Sequence, residues 1–135
     1  SVDYAALGFS ERRAVEQQVP RAQPVWKLYT TGAAGSQALM GLPMIHRLAA
    51  LPGVSVWPFD RLEGAAVVLA EVYPSLLARA VAADGAPVRD EAQVRLLSRA
   101  LSRVDLAPLL MVPEVAREEG WILGAGHVAA LEAAL

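Results

Sequence analysis

Residues Ala65 to Leu77 read AAVVLAEVYPSLL, and the fold is decided on how that stretch is read. A short continuous apolar run, partly β-branched and ended by a breaker, is the pattern of a strand buried on both faces. One carboxylate, Glu71, falls near its C-terminal end, ahead of Val72-Tyr73-Pro74-Ser75 and an apolar helical pattern. In open α/β sheets, ligands bind at the carboxyl ends of the strands. A carboxylate buried there without a partner is costly. Glu71 is therefore expected at the surface, in an ion pair, or on a cation.

Outward from this strand, the chain alternates short β-forming runs with helical patterns. Towards the N-terminus, Val54 to Trp57 reads as a strand, followed by Pro58-Phe59-Asp60 and a polar turn to Gly64. Before it, Val25 to Thr30 (VWKLYT) is rich in β-formers and is expected to be a strand. The turn Thr30 to Ser36 then leads into a helix with Ala38, Leu42, Ile45 and Ala49 on one stripe. Pro43 is expected to kink or restart that helix, and Pro52-Gly53 ends it. Ser1 to Phe9 has no clean period. Ser10 is the expected N-cap of a helix running to about Gln18.

Towards the C-terminus, Leu76, Leu77, Ala80 and Val81 give a helical face ending near Asp84-Gly85. Asp90 to Val104 is the clearest helix, with Val94, Leu97, Leu101 and Val104 as its predicted buried stripe. Leu106 to Val112 reads as irregular, Pro113 to Glu119 as a short helix, and Val128, Leu131 and Leu135 as a last one. Three short strands among helices predict one α/β domain over residues 1–135, a small mixed sheet flanked by helices.

The totals narrow the function classes. At 135 residues the chain is one domain by length. Apolar residues make up 55% and the mean hydropathy is +0.36, high for this size, which predicts a covered surface: a homo-oligomer or a further segment. A net charge of −2 argues against a strong electrostatic footprint for nucleic acid. Without cysteine there is no disulfide, zinc-thiolate site or thiol nucleophile. No apolar run reaches the length of a membrane span and no signal peptide is seen, so no membrane partner is expected and the reading is cytoplasmic.

Two places could carry chemistry. The turn from Thr30 to Ser36 could present backbone N–H groups to a phosphate. Lys27, Thr31, Gly32, Gly35 and Ser36 are the candidate contacts, although a P-loop ending and GxGxxG are both missing. The same residues also fit a plain turn with Ser36 as N-cap. The second place is Glu71, with Asp60 at the end of the neighbouring predicted strand. Paired carboxylates suit Mg²⁺ or Mn²⁺. Equally, Glu71 could pair with an arginine and Asp60 cap a turn. His46 and His127 are too far apart in sequence for a histidine-rich metal site. Arg95, Arg99 and Arg103 read as a solvated helix face pairing with Glu91 and Asp105. Trp26, Trp57 and Trp121 read as core or partner-facing anchors without an aromatic–basic interleave.

Several stretches together look familiar: PVWKLYTTGAAGSQALMGLPMIHRL, VSVWPFD, VVLAEVYPSLL and EEGWILGAG. From about Pro24 on, the chain resembles the C-terminal half of a family of bacterial proteins predicted to be RNase H-like nucleases, a DUF429-like group. The resemblance rests on Trp57-Pro58-Phe59 and Glu71-Val72-Tyr73-Pro74. It implies an RNase H-like fold, incomplete at the N-terminus, and metal-dependent phosphodiester hydrolysis with Glu71 as the catalytic central-strand acid, or a decayed form that only binds. The family's first acid would precede Ser1. Its last, in a D-x-x-D-A pattern, is replaced here by Gly124 to Leu131, where His127 and Glu132 are the nearest substitutes. Some relatives carry labels linking them to molybdopterin guanine dinucleotide synthesis, which implies a nucleotide- or pterin-binding accessory role instead. A non-catalytic interaction module is the third reading, from the high apolar fraction.

Overall fold

The computed structural model describes residues 3–8 and 10–135; part of the Ser1–Phe9 reading therefore lies outside the described residues. The chain resolves into two compact units. One comprises residues 1–69 with 114–120, the other 70–113 with 121–135. No helix among the described residues is long and apolar enough to cross a membrane.

The first unit is built around a buried carboxylate. Helix α1 spans Ala14–Gln18, starting later than Ser10 predicts. Ser10 instead accepts the Arg12 amide, at 3.2 Å, in the preceding turn. Glu16 is 3% exposed. Its Oε1 takes the Arg13 Nε at 2.7 Å and the Val25 amide at 3.1 Å, and its Oε2 takes the Arg13 amide at 3.0 Å. Burying a carboxylate is tolerable on those terms, because its lone pairs are filled and one donor is cationic. Arg13 also donates to the Glu119 carbonyl at 3.4 Å, and the Glu119 carboxylate accepts the Ala14 amide at 2.7 Å. Glu119 closes the short helix α6 (Ala116–Glu119), so charge joins the two helices here.

Val25 to Thr30 is not a strand. The Lys27 amide turns back to the Pro24 carbonyl at 3.0 Å, and the Val25 amide is spent on Glu16. The β propensity of VWKLYT is overridden because the donors a ladder would use are taken locally. Helix α2 follows at Gly35–Ala49 and runs through Pro43 without the predicted restart.

Strands β1 (Val54–Val56) and β2 (Val67–Leu69) pair in parallel, with Val54 opposite Val67 and Val56 opposite Leu69. The sheet is parallel rather than mixed, because its two strands enter from the same end around the Trp57–Ala66 connection. That connection is pinned where it leaves β1. Asp60 Oδ2 accepts the Val56 amide at 2.7 Å, and the Trp57 amide donates to the Leu69 carbonyl at 2.9 Å. The expectation of a strand buried on both faces fails: Val67 is 49% and Val68 42% exposed. Within this unit, nothing among the described residues lies over those two side chains deeply enough to bury them.

The second unit holds most of the apolar core. A 3-10 turn, Pro74–Leu77, leads into α3 (Ala78–Asp84), which stops at Gly85 in a left-handed conformation, as the sequence predicts. Helix α4 spans Arg89–Leu101 and buries Ala92, Leu96, Leu97 and Ala100. The predicted stripe named Val94, which is 64% exposed; the buried face keeps Leu97 but runs through Ala92, Leu96 and Ala100. Leu106–Leu110 is a short helix, α5, rather than irregular, because Asp105 caps it through the Ala107 amide. The last helix, α7, spans Val128–Ala133 and buries Leu131. Leu76, Leu77, Trp121 and Ile122 are buried in the same unit.

The Arg13–Glu16 pair generates a stability prediction. Glu16→Ala removes the acceptor of Arg13 Nε, of the Arg13 amide and of the Val25 amide. Breaking a buried pair from one side costs about 3–5 kcal/mol. Denaturant unfolding of Glu16→Ala against the native chain measures it; a loss under about 1 kcal/mol, the range of exposed pairs, contradicts this account.

Candidate functional site

The turn from Lys27 to Ser36 is closed on itself. The Lys27 ammonium donates to Gln23 Oε1 at 2.8 Å and to the Thr31 carbonyl at 3.2 Å. The Gly35 amide donates to the Lys27 carbonyl at 3.1 Å, and the Ala33 amide to the Thr30 carbonyl at 3.1 Å. Gly35 is required by space. A Cβ there would collide with the Val25 carbonyl and sit 2.8 Å from the Lys27 carbonyl. Thr30 has φ of 85°, a conformation that costs a β-branched residue energy. Lys27, Thr31 and Gly35 are thus brought together, as a hydrogen-bonded turn. Thr31, Gly32 and Ser36 lie exposed on it.

Beside this turn is a cleft of about 510 Å³. Tyr4, Arg12, Trp26, Lys27, Tyr29 and Thr30 line it, with Glu11 as its acid. Trp26 is 48% and Tyr29 81% exposed, so two aromatic side chains offer surface to solvent. Arg12 is fixed by one bond, Nη1 to the Ala22 carbonyl at 2.6 Å. A guanidinium has five N–H donors and an ammonium three, so Arg12 and Lys27 each retain donor capacity beyond these bonds. The volume falls in the range of small-ligand sites. Sequence reasoning missed Tyr4, Arg12 and Tyr29. The signal was the alternation Trp26-Lys27-Tyr29, visible once the tyrosines are counted with the tryptophans.

The other candidate residues belong to different surroundings. Asp60 serves as the cap of the β1 turn through its Oδ2. Glu71, in the second unit, is exposed. Its backbone forms a parallel bridge with Ile122, and its carbonyl accepts the Leu123 amide at 2.9 Å. Two of the stretches singled out in the sequence, Glu71 to Pro74 and Glu118 to Gly126, therefore meet along the backbone at Glu71 and Ile122. Beyond that bridge the chain turns at Gly124, φ 87°, where a Cβ would come within 2.8 Å of Leu131 Cδ1. His127 follows as the N-terminal flank of α7. Among the described residues, no group of three or more His, Asp or Glu stands together as a metal site.

Of the arginine row on α4, Arg95 pairs with Asp84 at 2.6 Å rather than with Glu91 or Asp105, because α3 presents Asp84 to it. Arg103 donates to the Leu135 carbonyl at 2.9 Å. The hydrogen bond from Arg95 holds the Asp84 carboxyl below its ordinary range. His46 is exposed on α2, and Trp57 and Trp121 are core residues at 4% and 5% exposure.

No protein-family model, no curated protein and no solved structure matches this chain.

The Asp84–Arg95 pair sets a pH dependence. A carboxyl whose folded pKa is depressed adds stability above its unfolded value, near 3.8, and that stability is lost as pH falls through the folded value. Asp84→Asn is therefore expected to flatten the acid limb of the unfolding midpoint below about pH 4. Thermal unfolding across acid pH checks this; an unchanged acid limb removes Asp84 from the account.

Proposed function

We propose that this chain binds a phosphorylated aromatic ligand, a nucleotide or a nucleotide of a nucleic-acid strand, in the cleft formed by Trp26 to Thr30. The observation that carries the reading is the juxtaposition of exposed Trp26 and Tyr29 with Arg12 and Lys27 around one opening. Aromatic faces stack on a base with little regard to its identity, and the two cations suit one or two phosphate groups. Glu11 on the rim moderates the positive charge and favours a short anion over a long polyanion. This reading shares its ligand chemistry with an accessory role in handling nucleotide- or pterin-bearing cofactors.

A second reading keeps the RNase H-like assignment: a domain of a divalent-metal-dependent phosphodiesterase, or a decayed form that only binds. It is favoured by Glu71, exposed just past the end of a parallel strand and bridged to Ile122 beside the GWILGAG stretch. Mg²⁺ and Mn²⁺ are often held by one or two carboxylates together with substrate phosphates and waters. Glu71 would be such a carboxylate; Asp60, the other acid singled out in the sequence, belongs to the first unit, where it holds the Val56 amide. The ion would supply charge to a phosphoryl oxygen. The chain's own contribution would be to hold Glu71 by its backbone pairing.

Tryptophan fluorescence tests the first reading directly, because Trp57 and Trp121 are buried and Trp26 is half exposed. Titrated GMP or a short oligonucleotide is expected to quench Trp26. Trp26→Ala, which removes that reporter and is therefore read by calorimetric titration, is expected to weaken binding roughly 5- to 150-fold, the value of one base–aromatic stack. Absence of quenching at millimolar nucleotide sinks the cleft. Calorimetric titration of Mn²⁺ into the native chain and Glu71→Gln tests the second reading. Heat lost in the variant supports it, and equal traces dismiss Glu71 as a metal ligand.

A further inference from the structure

Trp26 borders a second opening in the first unit besides the cleft already described. This cavity has a volume of about 680 Å³, within the range of small-ligand sites. Ser10, Arg13, Val25, Trp26, Glu118 and Glu119 line it. Glu118 and Glu119 reach Trp26 because α6 is bonded to the start of α1, through the carbonyl and the carboxylate of Glu119. Their distance in sequence hides the grouping until the chain is folded.

The two openings differ in charge. Around the cleft, Arg12 and Lys27 outweigh Glu11. In the second cavity the balance is reversed. Its cation, Arg13, donates from Nε to Glu16 Oε1 at 2.7 Å, and the two side chains are 12% and 1% exposed. A carboxylate in direct contact offsets the guanidinium charge, so a ligand meets chiefly Glu118 and Glu119. Glu118 is exposed and Glu119 half-buried. The Glu119 carboxylate is held in place because its Oε2 accepts the Ala14 amide at 2.7 Å. One such bond leaves acceptor capacity, since an ionised carboxylate has about four lone-pair sites. The third element is the indole of Trp26, 48% exposed, the ring type that attracts cations most strongly. An anion here would face two carboxylates, whereas a cation gains from both and from the ring. The volume far exceeds that of a bare ammonium group, and Val25 and Trp26 give the cavity an apolar wall.

We propose that this cavity binds an organic ammonium ion bearing an apolar body, its nitrogen on Glu118 and Glu119 and its body against Trp26 and Val25. The site lies beyond the nucleotide reading and does not depend on it: of the residues lining the two openings, only Trp26 is shared, and the ligand carries the opposite charge.

Calorimetric titration of 2-phenylethylammonium into the full chain, beside its neutral isostere 2-phenylethanol, tests it. The ammonium is expected to bind at about millimolar concentration and at least roughly fivefold more tightly than the alcohol. Glu118→Gln is expected to weaken the ammonium about two- to fivefold, the value of one exposed carboxylate, with little effect on the alcohol. Glu118 is exposed, so its substitution does not threaten the fold, which circular dichroism verifies. Trp26→Ala is expected to weaken the ammonium about 2- to 30-fold, the range of one cation–π contact. No saturation by tens of millimolar ammonium overturns the proposal. So does equal affinity for the alcohol, which would make the cavity a merely apolar hole. Weakening by Glu11→Gln but not by Glu118→Gln also overturns it, because the amine then sits in the other cleft. The GMP titration separates the two readings: ammonium binding lost with GMP binding kept sinks this site alone, and the reverse sinks the nucleotide cleft alone.

Discussion

The first unit depends on one buried carboxylate. Glu16 sits 3% exposed and is satisfied by Arg13 and by the amide of Val25. An ionised group in that position must be fully hydrogen-bonded or the fold loses several kcal/mol. The requirement acts at both ends. It starts α1 at Ala14 rather than after Ser10, because the Glu16 side chain reaches back to the Arg13 amide. It also anchors the loop after Pro24, because Val25 gives up the donor that a strand would have used. The turn carrying Lys27, Thr31 and Gly35 inherits its placement from that anchor.

This anchoring explains where the sequence was legible and where it was not. Local signals survived where no distant partner competed. Gly85 stops α3 by its left-handed conformation, and the Val54 and Val67 runs pair as strands. The reading failed at Val25 to Thr30 because β propensity reports the residue's own preference, whereas Glu16 lies nine positions earlier. It failed at Val94 because an amphipathic helix with both alanines and large aliphatics offers two possible faces. The face through Ala92, Leu96, Leu97 and Ala100 is the buried one. Leu106–Leu110 was missed because Asp105 was counted as a charge partner for arginine and not as a cap.

The candidate site shows the same division. Lys27, Thr31 and Gly35 are adjacent in sequence and adjacent in space, so their grouping could be read directly. Arg12 and Tyr4 join the cleft only through the fold around α1. The Glu71 and Ile122 segments are also distant in sequence, and their backbone bridge was not read from it. Pairing of Glu71 with Asp60 was inferred from strand ends alone, and Asp60 spends one oxygen holding the amide of Val56.

Lys27 illustrates why a site can be built from residues that are already bonded. Its ammonium ties Gln23 to Thr31, which orders the turn. Ordering in advance reduces the entropy a ligand must overcome on binding. The remaining N–H of the ammonium is then presented from a fixed point instead of a flexible tether. The same logic applies to Arg12, held by the Ala22 carbonyl. These bonds hold both cations in place, and the exposed rings of Trp26 and Tyr29 add surface with few rotatable bonds. The cleft is thus polar where it is rigid and aromatic where it is open, an arrangement that follows from the same turn that Glu16 anchors through Val25.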